Sequence, residues 1–319
     1  MTIAVIGSNG FIGRHLTDKL IDLRAHNLLL FGRSENSYFG RTLPYQRLDQ
    51  NDRAAVQRQF AEVDFVFYLA SSSIPASSWN DPLLEIENNL RPFINFMEAL
   101  SQTPVKKICF VSSAGTIYGP SSEKLAEDAP KHPFSPYGIT KLSMEYFLNY
   151  FRAKYKIEHD ICRVSNVYGM GQNTAAGLGL INTFLEKIIK KQTLQVFGSG
   201  ENKRNYIFVK DVAELLCHTL TGGLAESGIY NIASNDSISI NEAIAEIRQL
   251  VTEEVQIEYA ANRDSDNSAI LLDNTRILER FPDFQFTPLK EGIHQTYSYI
   301  QQHFSIVAVT TLVSFKRNQ

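Results

Sequence analysis

The first half of the chain alternates short apolar runs with amphipathic stretches. Thr2-Ile3-Ala4-Val5-Ile6 leads into an amphipathic stretch from Arg14 to about Arg24, and Leu28-Leu29-Leu30-Phe31 follows. A short continuous apolar run reads as a strand covered on both faces, and a 3.6-residue period reads as a helix packed on it. The alternation continues with a strand over Tyr45 to Leu48, ending at Asp49, and a polar helix from about Arg53 to Phe60. A strand over Asp64 to Ala70, a helix from about Pro82 to Leu100 and a strand from Lys107 to Val111 complete the series. Strands taken in turn with helices predict an α/β chain with an open parallel sheet wound on both sides. Later segments predict helices over about Phe134 to Tyr155, Leu180 to Lys191 and Leu289 to Phe304, and a strand over Gly228 to Ala233. Ile306 to Val313 is an apolar, strand-prone tail.

Composition narrows the class. The chain has 319 residues, 44% of them hydrophobic, which is ample for a buried interior. Its 31 basic and 34 acidic side chains give a formal net charge of −3, with no basic block, so neither nucleic acid nor an anionic membrane surface is the expected partner. Cys109, Cys162 and Cys217 stand far apart without metal-ligand spacing and read as buried thiols of a reducing compartment; no metal site is expected. No apolar run reaches the length of a membrane span and no basic region precedes the first strand, so the expected place is the cytoplasm.

Three stretches carry candidate chemistry. Gly7-Ser8-Asn9-Gly10-Phe11-Ile12-Gly13 lies between a strand and a helix, the order in which a helix N-terminus receives a pyrophosphate. Gly7 serves the tight turn, Gly10 the approach of backbone to phosphate, and Gly13 the packing of helix on sheet. After the second strand, Phe31-Gly32-Arg33-Ser34 lacks the acidic residue that would hold the ribose diol of NAD. Arg33 and Ser34 could meet the 2′-phosphate of NADP, or Arg33 is a solvated loop charge; Glu35 lies close enough to take the acidic role. Asp49 stands where an adenine contact would fall. Ser71-Ser72-Ser73 leaves the C-terminal end of a strand, where ligands of open α/β sheets bind, and Asn89 sits among apolar neighbours on the helix that follows.

The second and third stretches belong together. Ser112-Ser113-Ala114-Gly115-Thr116-Ile117-Tyr118-Gly119 leaves the tip of the fifth strand, and Ser135-Pro136-Tyr137-Gly138-Ile139-Thr140-Lys141 opens a helix beyond it. Spacing of four residues puts the Tyr137 phenol and the Lys141 ammonium on one helix face. A neighbouring ammonium stabilises a phenolate, so Tyr137 is expected to have its acidity brought down towards working pH and to act as general base and acid. By itself the spacing is more often that of a plain amphipathic surface pair, and the neighbouring motifs are what shift the reading.

With these motifs the chain resembles the extended short-chain dehydrogenase/reductases, and within them the NAD-dependent epimerase/dehydratase group that acts on nucleotide sugars. The resemblance runs from Gly7 to about Ile300. It implies a Rossmann-like doubly wound sheet with a smaller, interleaved C-terminal substrate-binding lobe: residues 1–170 with a return at 205–235 for the dinucleotide, 171–204 and 236–304 for the substrate, and 305–319 without an assigned role. The cofactor contacts it implies are Gly7, Asn9, Gly10, Phe11, Ile12, Gly13, Arg33, Asp49, Leu69, Ala70, Ser71, Asn89 and Ser112, with Tyr137 and Lys141. Arg163 to Gly169 resembles the turn into the substrate lobe, so Asn166 would meet the sugar diphosphate. Arg204, in Arg204-Asn205-Tyr206-Ile207-Phe208-Val209-Lys210-Asp211-Val212-Ala213, and Arg263 would pair with phosphate. Phe197 would lie against the base, and Ser73 stands where some epimerases have a lysine.

Departures from the pattern bear on the reaction. Ala114 occupies the place of the usual catalytic hydroxyl, passing that role to Ser113 with Thr116 in reserve. Gly115 and Thr116 stand where sugar 4,6-dehydratases carry an Asp-Glu pair, so no carboxylate is ready for dehydration. The implied activity is 4-epimerisation of a nucleotide sugar, UDP-linked, by transient oxidation at C4 with NAD or NADP. A 4-keto reductase consuming NADPH is the alternative, and a non-catalytic dinucleotide-binding protein is a third. The broad helices over about Pro82 to Leu100 and Phe134 to Tyr155 would serve as the face of a homodimer.

Overall fold

The computed structural model describes residues 1–24, 27–40, 42–121, 123–175, 179–220, 224–261 and 270–317, with side chains through residue 304. The first elements are strand β1 (Thr2–Ile6), helix α1 (Phe11–Asp22), β2 (Asn27–Gly32), β3 (Tyr45–Arg47), α2 (Arg53–Gln59) and β4 (Phe65–Tyr68). They are followed by α3 (Pro75–Ser78), α4 (Pro82–Glu85), a π turn (Ile86–Leu90), α5 (Arg91–Leu100), β5 (Lys107–Ser113), α6 (Ala114–Ile117) and β6 (Lys124–Leu125). Then come α7 (Pro136–Tyr155), β7 (Glu158–Val164), β8 (Asn166–Tyr168), α8 (Leu180–Ile189), β9 (Leu194–Phe197), β10 (Lys203–Phe208) and α9 (Val209–His218). The chain continues through β11 (Gly228–Ile232), β12 (Ser237–Ser239), α10 (Ile240–Arg248), β13 (Ile257–Ala260), β14 (Leu271–Leu272), α11 (Thr275–Arg280) and α12 (Leu289–Arg317).

Seven strands form one parallel sheet in the order β11-β7-β5-β4-β1-β2-β3. The order reverses at β1, which sets the ligand crevice over the C-terminal ends of β1 and β4. Alternate side chains of β1 feed opposite cores. Ala4 and Ile6 join Phe31, Phe60, Phe93, Phe96 and Phe110 on one side, and Ile3 and Val5 join Leu16, Leu20, Phe65, Phe67 and Val212 on the other. That is the Rossmann-like doubly wound arrangement.

The smaller lobe holds β10 between β8 and β12, and β13 paired with β9, around a third apolar cluster that includes Phe184, Tyr206 and Ile293. Of the segment expected to return to the first lobe, β11 joins the large sheet and α9 packs on α1, but β10 lies in the small sheet, because it pairs in parallel with β8. The lobes are tied at α1: Arg14 donates to the Gly171 carbonyl at 2.7 Å, and His15 Nε2 lies 2.8 Å from the Met170 carbonyl.

Two sequence expectations are corrected. The single helix expected over Pro82 to Leu100 is interrupted by the π turn. Pro92 cannot donate to the Asn88 carbonyl and its ring would crowd it, so the turn widens ahead of it. The strand-prone tail is helical instead, since α12 runs on through Arg317: an established helix propagates at one bond per added residue, against which β-branched propensity is small. Among the described residues, no helix is long and apolar enough to cross a membrane.

Candidate active site

The glycine loop forms the floor of a cavity of about 580 Å³ over the sheet's reversal point. Gly7 has φ +88°, a conformation side chains resist, and a Cβ at Gly13 would overlap the Gly7 carbonyl oxygen. The first N–H groups of α1 have no partners within the helix and so are donors for an anion. A dinucleotide pyrophosphate fits this cradle. Asn9 is locked, its amide donating to Ser34 Oγ at 2.7 Å and the Asn36 carbonyl at 2.8 Å while Oδ1 accepts from the Tyr38 N–H at 2.8 Å. Gly7, Asn9, Gly10, Arg33, Ser34, Leu69, Ala70, Ser71 and Asn89 all line this cavity. Glu35 does not; it is ion-paired with Arg47 at 2.5 Å. Asp49 is also absent from the lining, being exposed with its carboxylate capping the Asn51 N–H at 2.9 Å. Its neighbours Leu48 and Gln50 line the wall in its place, with Gln50 held by the Tyr68 hydroxyl at 2.7 Å.

A second cavity, of about 790 Å³, opens beside the first and shares Leu69 and Ser71 with it. Tyr137, Lys141, Ser112, Ser113 and Thr116 line its inner end, with Phe11 and Ile12; Asn166, Phe197 and Arg204 line the part formed by the smaller lobe. Ser73 does not reach it, since its hydroxyl accepts from Asn89 at 3.1 Å. Arg263 lies outside the described residues. Asn166 donates to the Asn205 carbonyl at 3.0 Å, which ties β8 to β10 across the cavity wall.

Local chemistry explains why Tyr137 meets the strand tip. Ser135 caps α7, its hydroxyl accepting the Gly138 N–H at 3.1 Å, and Pro136 fills the first helical position. A Cβ at Gly138 would overlap the Thr116 carbonyl oxygen, so only glycine lets α7 press against the tip of β5. Ala114 is fully buried with Ile117 and Leu272 and cannot face the cavity. Of the available hydroxyls, Ser112 is spent on Glu145 at 2.6 Å, which leaves Ser113 and Thr116 at the wall.

Lys141 is buried, donates to the Val111 carbonyl at 3.0 Å, and sits 5.7 Å from the centre of the Tyr137 ring. Burial lowers its pKa to about 8, opposed by the carboxylates of Glu85 and Glu145. The Tyr137 phenol moves the other way. Burial and then the charge of Glu85 push its pKa up, against a hydrogen bond with Ser71 that favours the phenolate. This runs opposite to the expected lowering by Lys141: burial sets the direction of the shift, and the ammonium is turned towards the Val111 carbonyl.

Several residues here gave no signal in the sequence. Glu85, buried on α4, accepts from Asn89 at 3.1 Å, and Asn89 Oδ1 in turn accepts from the N–H and hydroxyl of Ser72 at 2.8 and 2.9 Å. Ser78 accepts the Tyr137 N–H at 3.3 Å. Glu145, one turn beyond Lys141, receives Arg163 at 2.7 Å, and Arg163 also donates to the Tyr118 hydroxyl at 2.7 Å. Only the i+4 relation of Glu145 to Lys141 could have marked it, since the others come from distant segments. Among the described residues no cluster of His, Cys, Asp or Glu could hold a metal ion.

Comparison with known proteins agrees with this geometry. The family model for the NAD dependent epimerase/dehydratase family matches residues 3–233, and the chain belongs to that family. UDP-glucose 4-epimerase of Mycolicibacterium smegmatis is 29% identical across 94% of this chain and 99% of its own length. The dTDP-4-dehydro-6-deoxyglucose reductase of Escherichia coli is 26% identical across 94% and 97%. The crystal structure of UDP-glucose 4-epimerase from Thermotoga maritima with UDP-glucose superposes with a TM-score of 0.89, at 27% identity, over 95% of this chain and 100% of that one.

Proposed function

We propose that the protein is a UDP-hexose 4-epimerase that acts by transient oxidation at C4. The observation that carries this reading is the junction of the two cavities: Tyr137, Lys141, Ser113 and Thr116 face the larger one where it meets the dinucleotide cradle at Leu69 and Ser71. A bound nicotinamide dinucleotide supplies the acceptor and donor of hydride. The chain's residues supply the rest. Tyr137, as the phenolate, takes the proton of the sugar 4-hydroxyl and later returns it, and Ser113, with Thr116 beside it, orients that hydroxyl. Lys141 holds the dinucleotide's ribose, and its positive charge, 5.7 Å from the ring centre, favours the phenolate that Tyr137 must be before it takes the proton, against the burial that disfavours it. Asn166 and Arg204 hold the diphosphate, Phe197 lies against the base, and the cavity gives the sugar room to present its other face.

A second reading, a 4-keto reductase fed by NADPH, is favoured by one feature of the cradle. Arg33 lines it while Glu35 is drawn off by Arg47, so the wall offers a cation to a 2′-phosphate and no carboxylate to a ribose diol; the Ser34 hydroxyl beside it is donated to the Asn36 carbonyl at 3.0 Å. On either reading we infer NADP as the better-held dinucleotide. Purified protein assayed with UDP-glucose and UDP-galactose and no added cofactor separates the two. Interconversion supports the epimerase, whereas turnover of a 4-keto sugar only with added NADPH replaces it with the reductase.

A further inference from the structure

We infer that Trp79 is the platform on which the hexose ring lies, an inference that rests on the UDP-sugar reading above. Trp79 is the single tryptophan of the chain, stands at the end of α3, and lines the cavity that holds Tyr137 while remaining 50% exposed. A large indole left half in water at a cavity wall costs apolar exposure that a ligand would relieve.

Its position is coupled to the reacting phenol. Ser78, the preceding residue, accepts the Tyr137 N–H at 3.3 Å and donates to the Pro75 carbonyl at 2.8 Å. The segment that carries Trp79 is thus pinned to the head of α7 at Ser78. Its contribution to the cavity is Ser71, Pro75, Ala76 and Trp79, while the charged groups of the described lining are Lys141 and Arg204. Cations serve the phosphates and the ribose; an apolar, aromatic wall beside the phenol serves a ring with one C–H face and hydroxyls on its edge. Another use for an exposed indole is contact with a second copy, beside exposed Leu83, Leu84 and Ile86. The two uses predict different responses.

Because Trp79 is the sole tryptophan, its emission in the full-length protein reports on this wall directly. Titration with UDP-glucose or UDP-galactose is expected to change the emission saturably, with UDP alone giving less than half the change. By calorimetry, Trp79→Ala should weaken UDP-hexose binding about three- to tenfold and leave UDP binding unchanged, and Trp79→Phe should restore most of the loss. Emission that ignores UDP-hexose, or follows protein concentration instead, overturns the inference, as does a Trp79→Ala variant that binds and turns over UDP-hexose like the parent. In those cases the epimerase reading stands wherever calorimetry and the UDP-sugar assay show the parent binding and interconverting UDP-hexose. If the parent binds neither UDP nor UDP-hexose, that reading fails and this one with it.

Discussion

At the scale of single residues the account turns on Tyr137. Tyr137→Phe keeps the ring and its packing but removes the proton carrier, so kcat should fall by about a thousandfold or more while dinucleotide affinity stays within about threefold; stopped assays and calorimetry check both. Lys141, with its pKa lowered to about 8, is an ammonium below that pH and neutral above it, so kcat/KM should decline as pH rises through about 8. Glu85 raises the pKa of Lys141, hence Glu85→Gln should move that decline to lower pH. An unmoved pH profile would remove Glu85 from the account. Tyr137 and Lys141 were legible because four residues on one helix is a relation the sequence itself contains. Glu85 was not, since it reaches the pair only after α4 and α7 pack together. For the same reason the Tyr137 shift runs opposite to what the spacing predicts: burial cannot be counted along a chain.

Secondary-structure elements were the most legible level. Apolar runs at Thr2, Leu28, Phe65 and Lys107 became β1, β2, β4 and β5, because strands buried on both faces leave an unbroken signature. The π turn was hidden: Pro92 was visible, but the answer of the helix to it depends on Asn89 being held by Glu85 and the serines after β4. One element-scale feature bears on stability. Lys107 and Asp160, on neighbouring strands β5 and β7, form an ion pair at 2.8 Å with both side chains fully buried. Lys107→Met leaves the buried carboxylate without its ammonium and should cost about 3–5 kcal/mol in urea unfolding, whereas Lys107→Met with Asp160→Leu should recover most of it. Equal losses in the single and double variants would contradict this, showing that the paired charges stabilise the core more than an apolar replacement does.

For the whole molecule, the exposed apolar residues are concentrated on two neighbouring helical segments. Leu83, Leu84 and Ile86 lie on α4 and the π turn, and Ile139, Tyr146 and Tyr150 on α7, which packs against them. A second copy would cover this face, so light scattering at micromolar concentration should give twice the 36.0 kDa chain mass, and Tyr146→Glu should shift it towards the monomer. A monomeric parent would contradict that assignment and leave the chemistry untouched. The two-lobed plan also explains what sequence reading misses at this scale: the wall of the larger cavity is assembled from Trp79, Phe134, Asn166, Phe197 and Arg204, segments whose convergence only the packed lobes provide.

The central claim is that one hydride leaves C4 of the sugar and returns to the same carbon. UDP-glucose carrying deuterium at C4, incubated with purified protein and no added cofactor, tests it most directly. The account predicts UDP-galactose that retains the deuterium at C4; product that has lost the label, or no galacto product at all, would contradict it.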